Sequence, residues 1–118
     1  MKPREGIVLF AHGSREPLWS GPFEQLAAAL RKTTKAQVVV AYLEIMKPSL
    51  EEAVASLDAV RIRIVPVFLG AGAHVRNDLP KLVEAIGREH PQLALVLEPP
   101  IGERADVIEA IAAAIARE

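Results

Sequence analysis

Arg61-Ile62-Arg63-Ile64-Val65-Pro66-Val67-Phe68-Leu69-Gly70-Ala71-Gly72-Ala73-His74-Val75-Arg76-Asn77-Asp78-Leu79-Pro80 passes from an apolar run, through a glycine-bracketed turn, into helical spacing. Residues 61–68, apolar but for Arg61 and Arg63, read as a buried strand. Gly70 and Gly72 let the chain reverse sharply. Beyond them Leu79, Leu82, Val83 and Ile86 fall at i, i+3, i+4 and i+7, one face of a helix. Asn77 or Asp78 is placed to cap that helix, and Pro80 suits its first turn. Pro66 lacks an N–H and hints at a bulge or a sheet edge. The segment is thus a strand, a short turn carrying His74, and a helix. In an open α/β sheet such a turn lies in the crevice above the strand ends, where ligands bind.

The same unit recurs along the chain. Gly6 to Ala11 is a short apolar run, followed by His12-Gly13-Ser14-Arg15. Ser20 and Pro22 then mark a helix start, with Phe23, Leu26, Ala27 and Leu30 on one face. Val38 to Leu43 reads as a second buried strand and hands over to Glu44. Ser49 and Glu52 have capping-box spacing ahead of Leu50, Ala53, Val54 and Leu57. Leu93 to Leu97 is a fourth strand, closed by Glu98-Pro99-Pro100. Ile108, Ile111, Ala112 and Ile115 outline a last helix. Four β-α units without a linker predict one α/β domain over residues 1–118: a three-layer αβα sandwich on a four-stranded parallel sheet with right-handed crossovers.

Composition narrows the functional classes. Fourteen basic residues against 15 acidic give a formal net charge of −1, which argues against nucleic-acid binding. There is no cysteine, so disulfides, thiolate metal sites and a cysteine nucleophile are excluded. The first ten residues include Lys2 and Arg4, but the apolar run from Ile7 to Ala11 is too short for a signal peptide or a membrane span. The expectation is a soluble cytoplasmic protein that does not engage a membrane.

The chemistry concentrates where strands end. His12 and His74 follow the first and third strands, which are often neighbours in small doubly wound sheets. Two imidazoles on one crevice suit cobalt, nickel, iron or zinc, and a carboxylate such as Glu44 would complete an open site. Arg15 and Arg76 lie close after the two histidines, and guanidinium groups bind carboxylates in bidentate fashion. Glu98 reads either as a turn residue or as the far wall of the site. Trp19 either packs on the core or flanks a large flat ligand. His90, at a helix end before Pro91, reads as structural. Gly70-Ala71-Gly72 begins a dinucleotide fingerprint, but Val75 occupies the third glycine position and Asp78 would repel a phosphate. Ser14 lacks the GxSxG setting of a nucleophile elbow.

Taken together, these blocks resemble the short CbiX-type sirohydrochlorin chelatases. The resemblance rests on Phe10-Ala11-His12-Gly13-Ser14-Arg15, on Ala41-Tyr42-Leu43-Glu44 with Pro48-Ser49-Leu50, on Val65 to Leu69 with Gly72 to Pro80, and on Pro100-Ile101-Gly102. It covers nearly the whole chain in order. Relatives often carry a second glycine before the second histidine, where this chain has Ala73. The resemblance implies a chelatase-like fold and insertion of Co²⁺ or Fe²⁺ into sirohydrochlorin with release of two protons. It implies no organic cofactor. His12 and His74 become metal-binding and catalytic residues, Glu44 a ligand or proton acceptor, and Arg15, Arg76 and Asn77 contacts for the macrocycle. It also implies a homodimer, with Ala110 to Ala116 as part of the contact, because the short members look like half of a two-domain chelatase. A non-catalytic metal or tetrapyrrole carrier and a flavodoxin-like nucleotide module are the competing readings.

Overall fold

The structure is a computed structural model that describes residues 4–117; Met1 to Pro3, including the lysine of the opening segment, and Glu118 lie outside it. Four strands, β1 (Glu5–Ala11), β2 (Gln37–Tyr42), β3 (Arg61–Pro66) and β4 (Ala94–Leu97), alternate with helices α1 (Gly21–Arg31), α2 (Leu50–Ser56), α3 (Ala73–Glu89) and α4 (Ala105–Ala116). The strands form one sheet in the order β2-β1-β3-β4, and every pairing is parallel. The predicted neighbourhood of the first and third strands is therefore present, with Phe10 opposite both Ala41 and Pro66.

Alternation along the strands divides the core in two. Val8, Phe10, Ile62 and Ile64 point to one face and pack beneath α2 and α3 through Leu50, Val54, Leu79, Val83 and Ile86. Ile7, Leu9, Val40, Tyr42 and Val65 point to the other, where α1 contributes Ala27 and flanking Phe23 and Leu30. The capping box of α2 forms as read: Ser49 Oγ accepts the Glu52 N–H at 3.2 Å, and Glu52 Oε1 accepts the Ser49 N–H at 2.9 Å. Leu26, assigned to the buried face of α1, is exposed instead.

Pro66 does not mark a sheet edge. It ends β3, a central strand, and is buried. The following Val67 N–H donates to the Phe10 carbonyl at 2.8 Å, so position 66 faces β4. That strand's ladder has already closed at Leu97 opposite Ile64, and a missing N–H costs nothing there.

The last helix departs most from expectation. No residue of α4 is buried, and none joins either core cluster. Ile108 and Ile115 are 53% and 77% exposed. The second face of β3 and β4, carrying Arg63, Ala94 and Val96, is left largely open. The connection that launches α4 is nonetheless fixed. Gly102 N–H donates to the Phe68 carbonyl at 2.9 Å, and its Cα lies so close to the Leu69 backbone that a Cβ would collide with it.

Candidate active site

Because β1 lies between β2 and β3, the connections that leave these three strands meet at one end of the sheet. His12 follows β1 directly. Its ring stacks on Phe68, just past β3, with centroids 4.3 Å apart and planes 26° apart. Phe68 is buried and also meets Phe10, so the imidazole rests on the core while remaining exposed above it. Gly13 next adopts φ 97°, and a side chain there would overlap the Glu44 carbonyl oxygen. Only glycine accepts both constraints. Ser14 caps its own turn, its Oγ accepting the Glu16 N–H at 3.1 Å.

His74 lies in the first turn of α3, not in a loop before it. The helix is capped at Gly72, whose extended backbone lets its carbonyl accept the Arg76 N–H at 2.9 Å. Asn77 and Asp78 are thus inside the helix and cap nothing, and Pro80 sits in its interior, well past the first turn. Asp78 acquires another task. Its Oδ2 lies 3.1 Å from His74 Nδ1, one helical turn away. Both side chains of this pair are more than half exposed. A cavity of about 120 Å³ beside His74 is lined by Leu43, Val75, Asp78, Leu79 and Leu82.

The residues after β2 join the two histidine-bearing turns. Leu43 N–H donates to Ala11 O at 2.8 Å, and Glu44 N–H to His12 O at 3.1 Å. Leu43 therefore borders the end of β1 and lines the His74 cavity as well. The Glu44 residue is exposed. Among the described residues, no three His, Cys, Asp or Glu side chains come together in metal-holding geometry, so His12, His74 and Glu44 do not close a three-ligand site within one chain.

The two arginines differ. Arg15 is exposed and makes no ion pair among the described residues. Arg76 donates to the Ala71 carbonyl at 3.1 Å and to Glu103 at 3.2 Å, tying the start of α3 to the turn before α4. A second cavity of about 250 Å³ opens between α3 and the end of β4. Its walls are chiefly apolar, with Phe68, Val75, Leu79 and Leu97, and Arg76 and Glu98 also line it. Val75 and Leu79 line both cavities.

Glu98 follows β4 on the wall of the larger cavity, and its carboxylate is engaged. Arg63 grips it in bidentate fashion at 2.8 and 3.1 Å, and this hydrogen-bonded guanidinium holds its carboxyl below the usual glutamate range. Trp19 belongs to the core margin, packed 4.6 Å from Phe23 and 6.3 Å from Tyr42 between ring centroids. Burial pushes the Tyr42 hydroxyl up, and the charge of Glu24 adds to the shift. His90 closes α3 at its C-terminal end.

The family model for CbiX matches residues 6–118. The chain belongs to the CbiX family. The match takes in both histidines, Glu44, Arg15, Arg76 and Asn77. Among CbiX relatives, a sirohydrochlorin cobaltochelatase from Methanothermobacter thermautotrophicus is 33% identical over 85 residues, 70% of this chain and 59% of that protein. A sirohydrochlorin ferrochelatase from Bacillus subtilis is 28% identical over 116 residues, 92% of this chain but 43% of that protein. The chain thus spans less than two thirds of either. A crystal structure of a CbiX protein from Marinobacter aquaeolei VT8 superposes with a TM-score of 0.79 at 32% identity, covering 94% of this chain and 91% of that one. The sirohydrochlorin chelatase SirB from Bacillus subtilis subspecies spizizenii, in complex with cobalt, superposes at 0.78 and 23% identity, and this chain matches 50% of it. That second likeness speaks to fold alone. The chelatase-like α/β fold expected from the sequence is the fold of this CbiX chain.

Proposed function

We propose that this chain is a sirohydrochlorin chelatase, a single catalytic domain over residues 1–118 that inserts Co²⁺ or Fe²⁺ into the macrocycle. One M²⁺ replaces two pyrrole protons, so two protons leave for each metal inserted. The observation that carries the reading is the placement of His12 and His74 at neighbouring strand ends of a CbiX-family chain, both on an open surface. A flat polycarboxylate requires such a surface rather than a deep pocket.

In this reading the neutral imidazoles deliver the metal and accept the pyrrole protons. Imidazole titrates close to neutral pH, and a few nitrogen ligands hold a divalent ion loosely enough to release it to a tetrapyrrole. Asp78, with its carboxylate near Nδ1, biases His74 toward metal contact through Nε2. Glu44, joined to the His12 turn through its backbone, is the additional ligand or proton acceptor. Arg15 and Asn77, exposed at this end, and the outer donors of Arg76 seat the macrocycle carboxylates. The metal is a substrate, and no organic cofactor takes part.

The protein works as a cytoplasmic homodimer that uses neither nucleic acid nor membrane. One observation supports the second copy: α4 turns Ile108, Ile111 and Ile115 to solvent while adding nothing to its own core. An apolar helix face of this kind is stable when covered. No described helix is long and apolar enough to cross a membrane. Sedimentation should give a dimer, and Ile115→Asp should yield a monomer; a monomeric parent protein at micromolar concentration would contradict this.

The deciding assay is anaerobic metallation of sirohydrochlorin with Co²⁺ and with Fe²⁺, followed by absorbance. Acceleration over the uncatalysed reaction is expected. Tight binding of macrocycle and metal without acceleration would make the chain a carrier instead.

A further inference from the structure

Among the described residues, Ile45 is the one non-glycine residue with positive φ, at 71°. For a β-branched side chain this is a genuine outlier, because Cβ crowds the backbone there. Met46 N–H donates to the Glu44 carbonyl at 2.7 Å, closing a three-residue ring around Ile45. With φ positive at its centre, this is the rare and strained form of the γ-turn.

The surroundings enforce the strain. On one side, Leu43 and Glu44 donate to the Ala11 and His12 carbonyls. On the other, Tyr42 N–H donates to Pro48 O at 2.9 Å, drawing the loop back to its own strand. Met46 packs against the second core cluster, and Gly13 backs onto the Glu44 carbonyl. The turn is therefore built together with the His12 turn.

Folding gains little from isoleucine at this point. The residue is 61% exposed and belongs to neither core cluster. Glycine or asparagine would relieve the backbone and suit the solvent better. A strained backbone and an exposed apolar side chain at one residue are disfavoured twice for stability. Residues held this way cluster at ligand clamps.

We infer that Ile45 is a substrate-binding residue, its side chain presented as an apolar wall against the flat face of the tetrapyrrole beside His12. The inference rests on the chelatase reading for the identity of the ligand. Leu43, 40% exposed on the same strip and lining the His74 cavity, extends the wall toward the second histidine. Apolar contact here complements the arginines, which address only the carboxylate rim.

The test compares the parent chain with Ile45→Gly, Ile45→Asn and Ile45→Val. Metal-free sirohydrochlorin is titrated into each and its binding read by fluorescence, with metallation assayed separately. Glycine and asparagine should leave the melting temperature unchanged or raised and weaken macrocycle binding about tenfold, as losing the contact of one partly buried aliphatic side chain would. Valine should bind within about twofold of the parent, since it keeps the apolar branched surface. Unchanged binding in the folded glycine and asparagine variants would overturn the inference even if the parent metallates normally. Loss of the dimer in those variants with unchanged macrocycle affinity would overturn it too, and would assign Ile45 to the subunit contact. A parent chain that binds no sirohydrochlorin would also overturn it. One that binds the macrocycle without accelerating metallation would remove the chelatase reading and leave the binding comparison valid.

Discussion

His74 Nδ1 lies 3.1 Å from the Asp78 carboxylate, one turn further along α3. A carboxylate this near the ring favours a hydrogen on Nδ1, and so metal contact through Nε2. Asp78→Asn keeps the shape but removes the charge, and its amide can present an N–H toward the ring and undo the tautomer preference. Co²⁺ affinity should fall about tenfold in Asp78→Asn and Asp78→Ala, the lower end for an outer partner because the pair is exposed. Cobalt titration followed by absorbance, with helicity checked by circular dichroism, reads this out. Unchanged affinity would mean that the pair is only a surface contact of the helix.

Arg15 and Arg76 should respond differently to removal. Arg15→Ala loses one charged seat and should raise KM for sirohydrochlorin about fivefold with kcat nearly unchanged, the pattern of lost uniform binding. Arg76→Ala should raise KM as well. It also leaves Glu103 without its partner and loosens the turn before α4, so faster hydrogen exchange at residues 101–104 should accompany it. Steady-state kinetics on both variants would expose an arginine without a role as one with unchanged KM.

The Arg63–Glu98 pair predicts an acid-dependent contribution to stability. The folded carboxyl titrates below its unfolded value because it accepts two bonds from the guanidinium. A depressed folded value stabilises above the unfolded glutamate pKa of about 4.3, and that contribution is lost as pH falls through the lower folded value. With Glu98 at 24% and Arg63 at 36% side-chain exposure, Glu98→Gln should cost about 1 kcal/mol at pH 7, after discounting for solvent screening. Thermal melts of parent and variant should converge toward pH 3. A gap that persists there would locate the cost in packing.

Much of this architecture was legible in the residues. Apolar runs located all four strands: β1 and β2 are buried on both faces and need no alternation, whereas β3 opens with Arg61 and Arg63 on its open face. Ser49 and Glu52 gave the start of α2 through a hydrogen-bond pattern local to four residues. The start of α3 is hidden because Asn77, Asp78 and Pro80 look like start signals, whereas the true cap, Gly72, acts through its backbone. The periodicity of α4 matches its helix, but a hydrophobic stripe does not say what covers it. Arg63 and Glu98 are 35 residues apart, and no local spacing joins them. The turn at Ile45 carries no signature at all, since isoleucine is among the residues least suited to it.

Of the site, both histidines were placed at strand ends from sequence, but their local settings were not. The stack of His12 on Phe68 depends on β1 and β3 being neighbours, which alternation suggested and pairing realises. The engagement of Arg76 by Glu103 depends on where the last turn folds back, which Gly102 governs through its close approach to Leu69.

The proposed chemistry needs His12 and His74 together to deliver metal to the macrocycle and take its protons. Both rings are exposed, so His12→Ala, His74→Ala and the double variant should keep the parent's circular dichroism and melting behaviour. The most direct measurement is the anaerobic Co²⁺ metallation rate of sirohydrochlorin by the double variant against the parent chain. A fall of about a hundred- to ten-thousand-fold, toward the uncatalysed rate, is the predicted result. Near-parental metallation by a folded double variant would contradict the account.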